Sequence, residues 1–198
     1  MCSIVMSKVL VWCHGGCFGG GGANYDAPLR AAIEASGCAV HSVEFTKSYE
    51  QALVDISIVA AHYESQGHQV LMGGISSGGL LAHQVANQRH LPALLIAPVL
   101  APHARHHTLN AAERALQLSF FGDMVKMRLA EEEAQKGPNN GRCIIYGKGD
   151  SRAPEVYFLA WAETSCETGI SYHEMPLSHI ELCKRPPLDI VIQWISTK

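Results

Sequence analysis

The sequence has little net charge and no long hydrophobic run. Its formal net charge is −3, and 17% of its 198 residues are charged, so a basic surface that attracts nucleic acid or an anionic membrane is not expected. The apolar run Leu91–Pro102 is too short, and too often interrupted by proline, to span a bilayer. We therefore expect neither a nucleic-acid partner nor a membrane span.

The sequence also lacks paired cysteines. Its seven cysteines are odd in number and include no Cys-x-x-Cys pair; they are Cys2, Cys13, Cys17, Cys38, Cys143, Cys166 and Cys183. This pattern argues against a disulfide framework and against a structural zinc site. Reduced thiols are typical of a cytoplasmic protein. The apolar first residues agree with that location, because Lys8 interrupts them and a glycine-rich loop follows in place of a signal-peptide cleavage site.

Apolar, strand-like runs alternate with segments of helical periodicity. Strands are predicted at 8–13, 38–45, 69–74, 93–98, 142–147 and 169–175. Helices are predicted at 25–36, 48–65, 77–88, 110–135, 153–165 and 186–196, with Asp26 as an N-cap of the first and a break near Gly122 in the fourth. This order predicts an α/β fold with a doubly wound, mostly parallel six-stranded sheet and helices on both faces.

The chain is expected to form one domain over residues 1–198, because its length suits one core and no linker or repeat divides it. A helical insert is expected at about 101–137. Its apolar side chains fit either the wall of a substrate pocket or the core-facing side of an amphipathic helix; they are Leu116, Leu118, Phe120, Phe121, Met124 and Met127. No oligomeric state is predicted.

The turn after the third predicted strand carries a Gly-x-Ser-x-Gly motif, Gly74–Gly78. Between a strand and a helix, this motif holds its serine on a sharp, strained turn that exposes the hydroxyl above the sheet. Ser76 occupies that position. Ser77 competes less well, because Ile75 stands where its small neighbour is needed. An ordinary glycine-rich turn is the alternative interpretation.

A nucleophilic serine needs a base, and the base needs an acid that orients it. Asp150 follows the fifth predicted strand, and His179 lies in the predicted loop between the sixth strand and the last helix. Because the carboxyl ends of parallel strands meet at one edge of a sheet, these residues are expected to lie near Ser76. The chain order Ser, Asp, His is that of one particular fold. The sequence thus predicts a catalytic triad of Ser76, Asp150 and His179.

The remaining histidines have less support as catalytic residues. His83 and His173 fall inside predicted elements, while His103, His106 and His107 cluster in the insert. No nearby carboxylate or cysteine gives that cluster a recognisable metal-ligand spacing. We therefore expect no metal and no cofactor.

The loop after the first strand has six glycines in eight positions, from Gly15 to Gly22. It does not fit a phosphate-binding loop, because Ala23 and Asn24 follow Gly22 where that motif needs lysine and a hydroxyl residue. No frame fits the dinucleotide motif Gly-x-Gly-x-x-Gly either. A third possibility is an oxyanion hole, in which backbone N–H groups stabilise the charge that develops on a reacting carbonyl. Ser77, directly after the proposed nucleophile, would supply one donor.

The sequence resembles the α/β-hydrolase superfamily over nearly its whole length. The run His14-Gly15-Gly16-Cys17-Phe18 is similar to the His-Gly-Gly loops of hormone-sensitive-lipase-like esterases and of kynurenine-formamidase-like hydrolases. The resemblance implies oxyanion donors at the backbone N–H groups of Gly16, Cys17 and Ser77, with His14 as a scaffold. Two features usual in that fold, a pair of N-terminal strands and a large cap, are expected to be absent.

The expected function is that of a serine hydrolase, carboxylesterase-like, that cleaves a small ester, amide or thioester through an acyl-enzyme on Ser76. The expected partner is therefore a small acyl substrate. Two alternatives stay open at this point. The same triad can transfer the acyl group to an acceptor other than water, and a ligand-binding protein can keep the fold without catalysis.

Overall fold

The computed structural model describes residues 7–16, 26–44, 48–136, 141–155 and 169–198. In these ranges the strands are β1 (Lys8–Cys13), β2 (Ala39–Val43), β3 (Gln69–Ile75), β4 (Ala93–Ile96), β5 (Arg142–Gly147) and β6 (Ile170–Met175). The helices are α1 (Ala27–Ala35), α2 (Tyr49–Ser65), α3 (Ser77–Arg89), α4 (Pro102–His106), α5 (Ala111–Phe121), α6 (Met124–Gln135), α7 (His179–Lys184) and α8 (Leu188–Thr197). None of these helices is long and apolar enough to cross a membrane.

The six strands form one sheet in the order β2-β1-β3-β4-β5-β6, and every neighbouring pair is parallel. β1 therefore lies inside the sheet, with β2 on one side of it and β3 to β6 on the other, as in other doubly wound folds. Strands β4 and β5 are buried at every residue, which is typical of parallel strands covered on both faces. The predicted fold class is confirmed, with a sheet that is parallel throughout.

The helices divide into two layers because side chains along a strand alternate between the faces of the sheet. Val11 of β1 points into the core formed with α2, α3, α5 and α6. Its neighbours Leu10 and Trp12 point into the other core, formed with α1, α7 and α8. The predicted placement of helices on both faces is therefore confirmed.

The predicted helix 110–135 is two helices, α5 and α6, which meet at Gly122 and Asp123. Asp123 begins α6 by accepting a hydrogen bond from the Lys126 backbone N–H at 2.8 Å, and the short α4 before them was not predicted. Five of the six apolar residues of this region lie in or against the core; they are Leu118, Phe120, Phe121, Met124 and Met127. The core-facing alternative is therefore right for those five, while Leu116 is 45% exposed.

The structure corrects two local expectations, on the Asp26 side chain and on His179, and a third falls mostly outside the described residues. Asp26 precedes α1 but makes no capping bond with its side chain; its Oδ2 instead accepts from the Trp12 indole N–H at 2.8 Å, because a buried indole needs an acceptor. Residues 153–155 are not helical, and most of the predicted helix 153–165 lies outside the described residues. His179 is the first residue of helix α7 and does not lie in a loop.

Helix α3 passes unusually close to β1, and Gly78 makes this possible. A Cβ atom at Gly78 would lie 2.2 Å from the Cys13 carbonyl oxygen and 2.3 Å from that of His14. Both atoms belong to backbone, which cannot rotate away. All ten residues from Ser77 to Ala86 are buried, so α3 has no open side toward which it can shift.

We predict that Gly78→Ala lowers the free energy of unfolding by about 2 kcal/mol or more, because overpacking against backbone outweighs the better helix propensity of alanine. Urea unfolding followed by circular dichroism measures the change. Gly141→Ala is the matched control. Its Cβ would meet the flexible Lys198 amine at 3.3 Å, so a change below about 1 kcal/mol is expected. Equal losses in the two variants would contradict this account.

Candidate active site

Ser76 stands alone between the end of β3 and the start of α3, on a sharp turn with φ 53° and ψ −122°. A positive φ is costly for a residue with a side chain and needs support from its surroundings. The support comes from backbone hydrogen bonds. The Ser76 N–H donates to the Ile96 carbonyl at 2.9 Å, and the Ser76 carbonyl accepts from Gly79 and Val99, each at 3.0 Å. The turn is therefore held by β4 and the segment that follows it.

Small neighbours are a steric requirement of this turn. A Cβ atom at Gly74 would lie 2.3 Å from the Gly78 carbonyl oxygen. Gly78, as described above, lies directly against the end of β1. The spacing of the Gly-x-Ser-x-Gly motif thus corresponds to two close backbone approaches, one on each side of Ser76.

His179 lies next to Ser76, with its Nε2 atom 2.9 Å from the serine Oγ. Its side chain is almost fully buried, at 7% exposure. The imidazole is positioned by the start of α7, where the Ser178 hydroxyl accepts from the Glu181 N–H and the Glu181 carboxylate accepts from the Ser178 N–H. This reciprocal cap fixes the helix at its first residue, His179. The pattern Ser178-x-x-Glu181 was visible in the sequence and would have predicted the helix.

Asp150 lies on the other side of His179. Its Oδ2 is 2.7 Å from His179 Nδ1, and its Oδ1 accepts from the backbone N–H groups of Arg152 at 2.8 Å and Ala153 at 3.1 Å. Burial alone would raise the pKa of Asp150, but the hydrogen bond and charge of His179, together with the two backbone donors, lower it below its usual value. Asp150 is therefore ionised at neutral pH.

The charge of Asp150 fixes the tautomer of neutral His179. An ionised carboxylate can only accept, so His179 Nδ1 carries the hydrogen and donates it. The Nε2 atom is then an acceptor, and it faces the Ser76 hydroxyl at 2.9 Å. In this arrangement the imidazole is oriented to take a proton from Ser76.

The predicted oxyanion donors are placed only in part by the structure. Ser77 is the first residue of α3, where N–H groups lack partners within the helix and the helix dipole favours negative charge. Gly15 lies against the turn at Ser76, since a Cβ atom there would be 3.5 Å from Ser76 Cβ. Gly16 follows with φ 71°. Cys17 lies outside the described residues.

The Nε2 atom of His14 lies 3.8 Å from Glu44 Oε2, just after β2. His14 is buried, and its Nδ1–H donates to the Gly15 carbonyl at 2.8 Å. Two other histidines serve packing. His83 Nε2 is 3.0 Å from the Ala134 carbonyl, and His106 Nδ1 is 2.7 Å from Gln117 Oε1. Within the ranges given above, no three His, Cys, Asp or Glu side chains are grouped so that they could hold a metal ion.

Comparison with known proteins was made at the level of sequence and of structure. The sequence matches no family model and no curated protein. The structure resembles many solved esterases, among them the esterase of the archaeon Pyrobaculum calidifontis, at 16% identity and a TM-score of 0.72, over 97% of this chain and 75% of that chain.

Two further structures show the same likeness. The Francisella virulence factor BioJ is 16% identical with a TM-score of 0.75, and carboxyl esterase 2 of the mycorrhizal fungus Tuber melanosporum is 19% identical with a TM-score of 0.71. In each case the match covers 97% of this chain and 77% of the other. Together with the parallel sheet and its strand order, these likenesses show that the chain has the α/β-hydrolase fold.

Proposed function

We propose that this protein is a serine hydrolase, carboxylesterase-like, that cleaves a small ester, amide or thioester through an acyl-enzyme on Ser76. The observation that carries the proposal is the unbroken series of hydrogen bonds from Ser76 Oγ to His179, at 2.9 Å, and from His179 to Asp150, at 2.7 Å. Nucleophile, base and acid in this order form the arrangement that activates a serine hydroxyl. The esterase names of the structural neighbours agree with this proposal.

In the first step, Ser76 Oγ attacks the substrate carbonyl carbon while His179 Nε2 takes the hydroxyl proton. Asp150 holds the ring in place and stabilises the imidazolium that forms. The carbonyl oxygen becomes negatively charged, and the backbone N–H groups of Gly16, Cys17 and Ser77 donate to it. Their fixed orientation stabilises the charge without reorganisation during the reaction.

In the second step, the bond to the leaving group breaks and the leaving group takes the proton from His179. The acyl group is now bonded to Ser76 Oγ. Water attacks this ester as His179 removes one of its protons, and collapse of the second tetrahedral intermediate releases the acid and returns the proton to Ser76. Every proton in this cycle passes through His179 Nε2.

We predict that Ser76→Ala lowers kcat/KM for p-nitrophenyl butyrate by a factor of about 10³ or more, because the attacking oxygen is removed. Release of p-nitrophenolate measures the rate. Circular dichroism and thermal unfolding should show the same folded, cooperative protein, since only the hydroxyl oxygen is lost from a turn held by backbone hydrogen bonds.

Ser77→Ala is the matched control, because Ser77 is proposed to act through its backbone N–H, which alanine retains. This variant should keep measurable turnover. A fluorophosphonate probe should label the wild type and Ser77→Ala but not Ser76→Ala. A wild-type rate in Ser76→Ala would overturn the assignment, and a wild-type protein that neither cleaves esters nor takes the label would favour a ligand-binding role.

A second prediction concerns Asp150. Asp150→Asn should lower kcat by a factor of about 10³ to 10⁴, because the amide N–H favours the wrong imidazole tautomer. Mass spectrometry of the fluorophosphonate reaction over time gives an independent reading of serine reactivity. Turnover equal to that of the wild type would remove Asp150 from the proposed triad.

Asp150 should also make stability depend on pH. The pKa of Asp150 is lower in the folded chain than in the unfolded chain, where it is about 4. Ionised Asp150 therefore stabilises the folded state at any pH above about 4. This stabilisation is lost as the pH falls from there through the pKa of the folded state. The wild type should therefore exceed Asp150→Asn in free energy of unfolding at pH 7, and the difference should narrow below about pH 4. Urea unfolding at pH 7, 5 and 3 tests this, and a constant difference would contradict it.

A further inference from the structure

A cavity of about 450 Å³ lies beside the His179–Asp150 pair. Its walls are residues 148–152, which follow β5, and residues 176–180, which run from the end of β6 into the first turn of α7. Because His179 and Asp150 both line it, the cavity lies directly next to the proposed catalytic groups.

The cavity wall carries two cations, Lys148 and Arg152. Among the described lining residues the one acid is Asp150, and both of its oxygens are already engaged, one by His179 and the other by two backbone N–H groups. Lys148 and Arg152 therefore give the cavity wall a positive charge that a ligand can contact. The negative charge of Asp150 is hydrogen-bonded to the His179 imidazole.

The two acids that form ion pairs with these cations do not line the cavity, and both ion pairs are long. Lys148 Nζ is 3.7 Å from Glu174 Oε1, and Arg152 Nη2 is 3.9 Å from Glu113 Oε1. Both distances exceed that of a hydrogen bond. Solvent-exposed ion pairs of this kind contribute little energy. Within the described part of the chain, neither cation donates a hydrogen bond from its side chain.

A third cation, Arg105 of α4, lies in the same region. It is half-buried, and burial together with the nearby charge of Arg152 lowers its pKa, while Glu113 and Asp150 act in the opposite direction. Its guanidinium has no hydrogen-bond partner among the residues that the structure describes. The N–H groups of this guanidinium are therefore available to donate to a ligand.

We propose, on the basis of the proposed function, that the substrate carries a carboxylate which binds in this cavity to Arg152, with support from Arg105 and Lys148. A guanidinium matches a carboxylate with two parallel N–H donors. A singly charged group suits the site, because Glu113 and Glu174 offset part of the charge of the three cations. The carboxylate lies beyond His179 as seen from Ser76, on either the acyl or the alcohol part of the substrate.

The test compares charged and neutral esters of matched size in two arms. The acyl arm uses mono-p-nitrophenyl glutarate against p-nitrophenyl valerate; the alcohol arm uses 4-acetoxybenzoate against its methyl ester. Each kcat/KM is divided by the rate of hydrolysis by hydroxide, which corrects for intrinsic reactivity. The charged ester should be preferred about tenfold or more in one arm, and added salt should reduce the preference.

Arg152→Gln should reduce that preference about tenfold or more, while the Arg152 backbone N–H to Asp150 is retained. Arg105→Gln should reduce it as well. Arg128→Gln is the matched control, since this arginine is 55% exposed on α6, pairs with Glu132 and changes the net charge equally. The preference of Arg128→Gln for the charged ester should equal that of the wild type.

The outcomes separate this inference from the function on which it rests. Ser76-dependent cleavage of the neutral esters without preference for a charged ester in either arm overturns the inference and leaves the proposed function standing. An equal loss of preference in Arg128→Gln and Arg152→Gln also overturns it, because the effect would then come from net charge. If no ester is cleaved in a Ser76-dependent manner, the proposed function fails and the inference fails with it.

Discussion

The site depends on the backbone of Ser76, which is held at a positive φ between β3 and α3. One hydrogen bond that holds it comes from Gly79 of α3, and two others join Ser76 to Ile96, at the end of β4, and to Val99 in the segment that follows. That segment is itself bent, with Ala97 at φ 44° and its N–H bonded to Ile145 of β5. The positive φ of Ser76 is thus supported by β4 and, through Ala97, by β5, and both of these strands are buried at every residue.

The sheet also decides how His179 reaches Ser76. β6 is an outer strand, and β5 and β4 separate it from β3. The chain after β6 must therefore cross the carboxyl ends of these strands to bring His179 to Ser76. It does so above Gly147, where a Cβ atom would lie 2.2 Å from the Leu177 carbonyl oxygen. The cap formed by Ser178 and Glu181 then starts α7 at the point where the imidazole lies beside the serine. A larger residue at the end of β5 would displace this crossing segment and move His179 away from Ser76.

The features that could be predicted from the sequence are those that depend on neighbouring residues, namely the strands and the turn at Ser76. Buried parallel strands appear as continuous apolar runs, such as Lys8–Cys13 and Arg142–Gly147, and their positions agree with the structure. The position of Ser76 on a tight turn followed from the glycines around it, and the edge at which Asp150 and His179 meet it followed from the parallel order of the strands. Contacts between distant residues were not predictable. Nothing near Asp26 in the sequence indicates that its carboxylate accepts a hydrogen bond from the Trp12 indole of β1 and does not cap α1.

The loop after β5 has two separate electrostatic roles, and Arg152 takes part in both. Its backbone N–H donates to Asp150 and helps keep that carboxylate ionised. Its positively charged side chain lines the adjoining cavity. The backbone role is independent of residue type, whereas the side-chain role requires a guanidinium. In the proposed carboxylate site, substitution at this one position changes the charge offered to the substrate while the backbone donor to Asp150 is preserved, so substrate choice and the chemistry proposed for the triad depend on different atoms of Arg152.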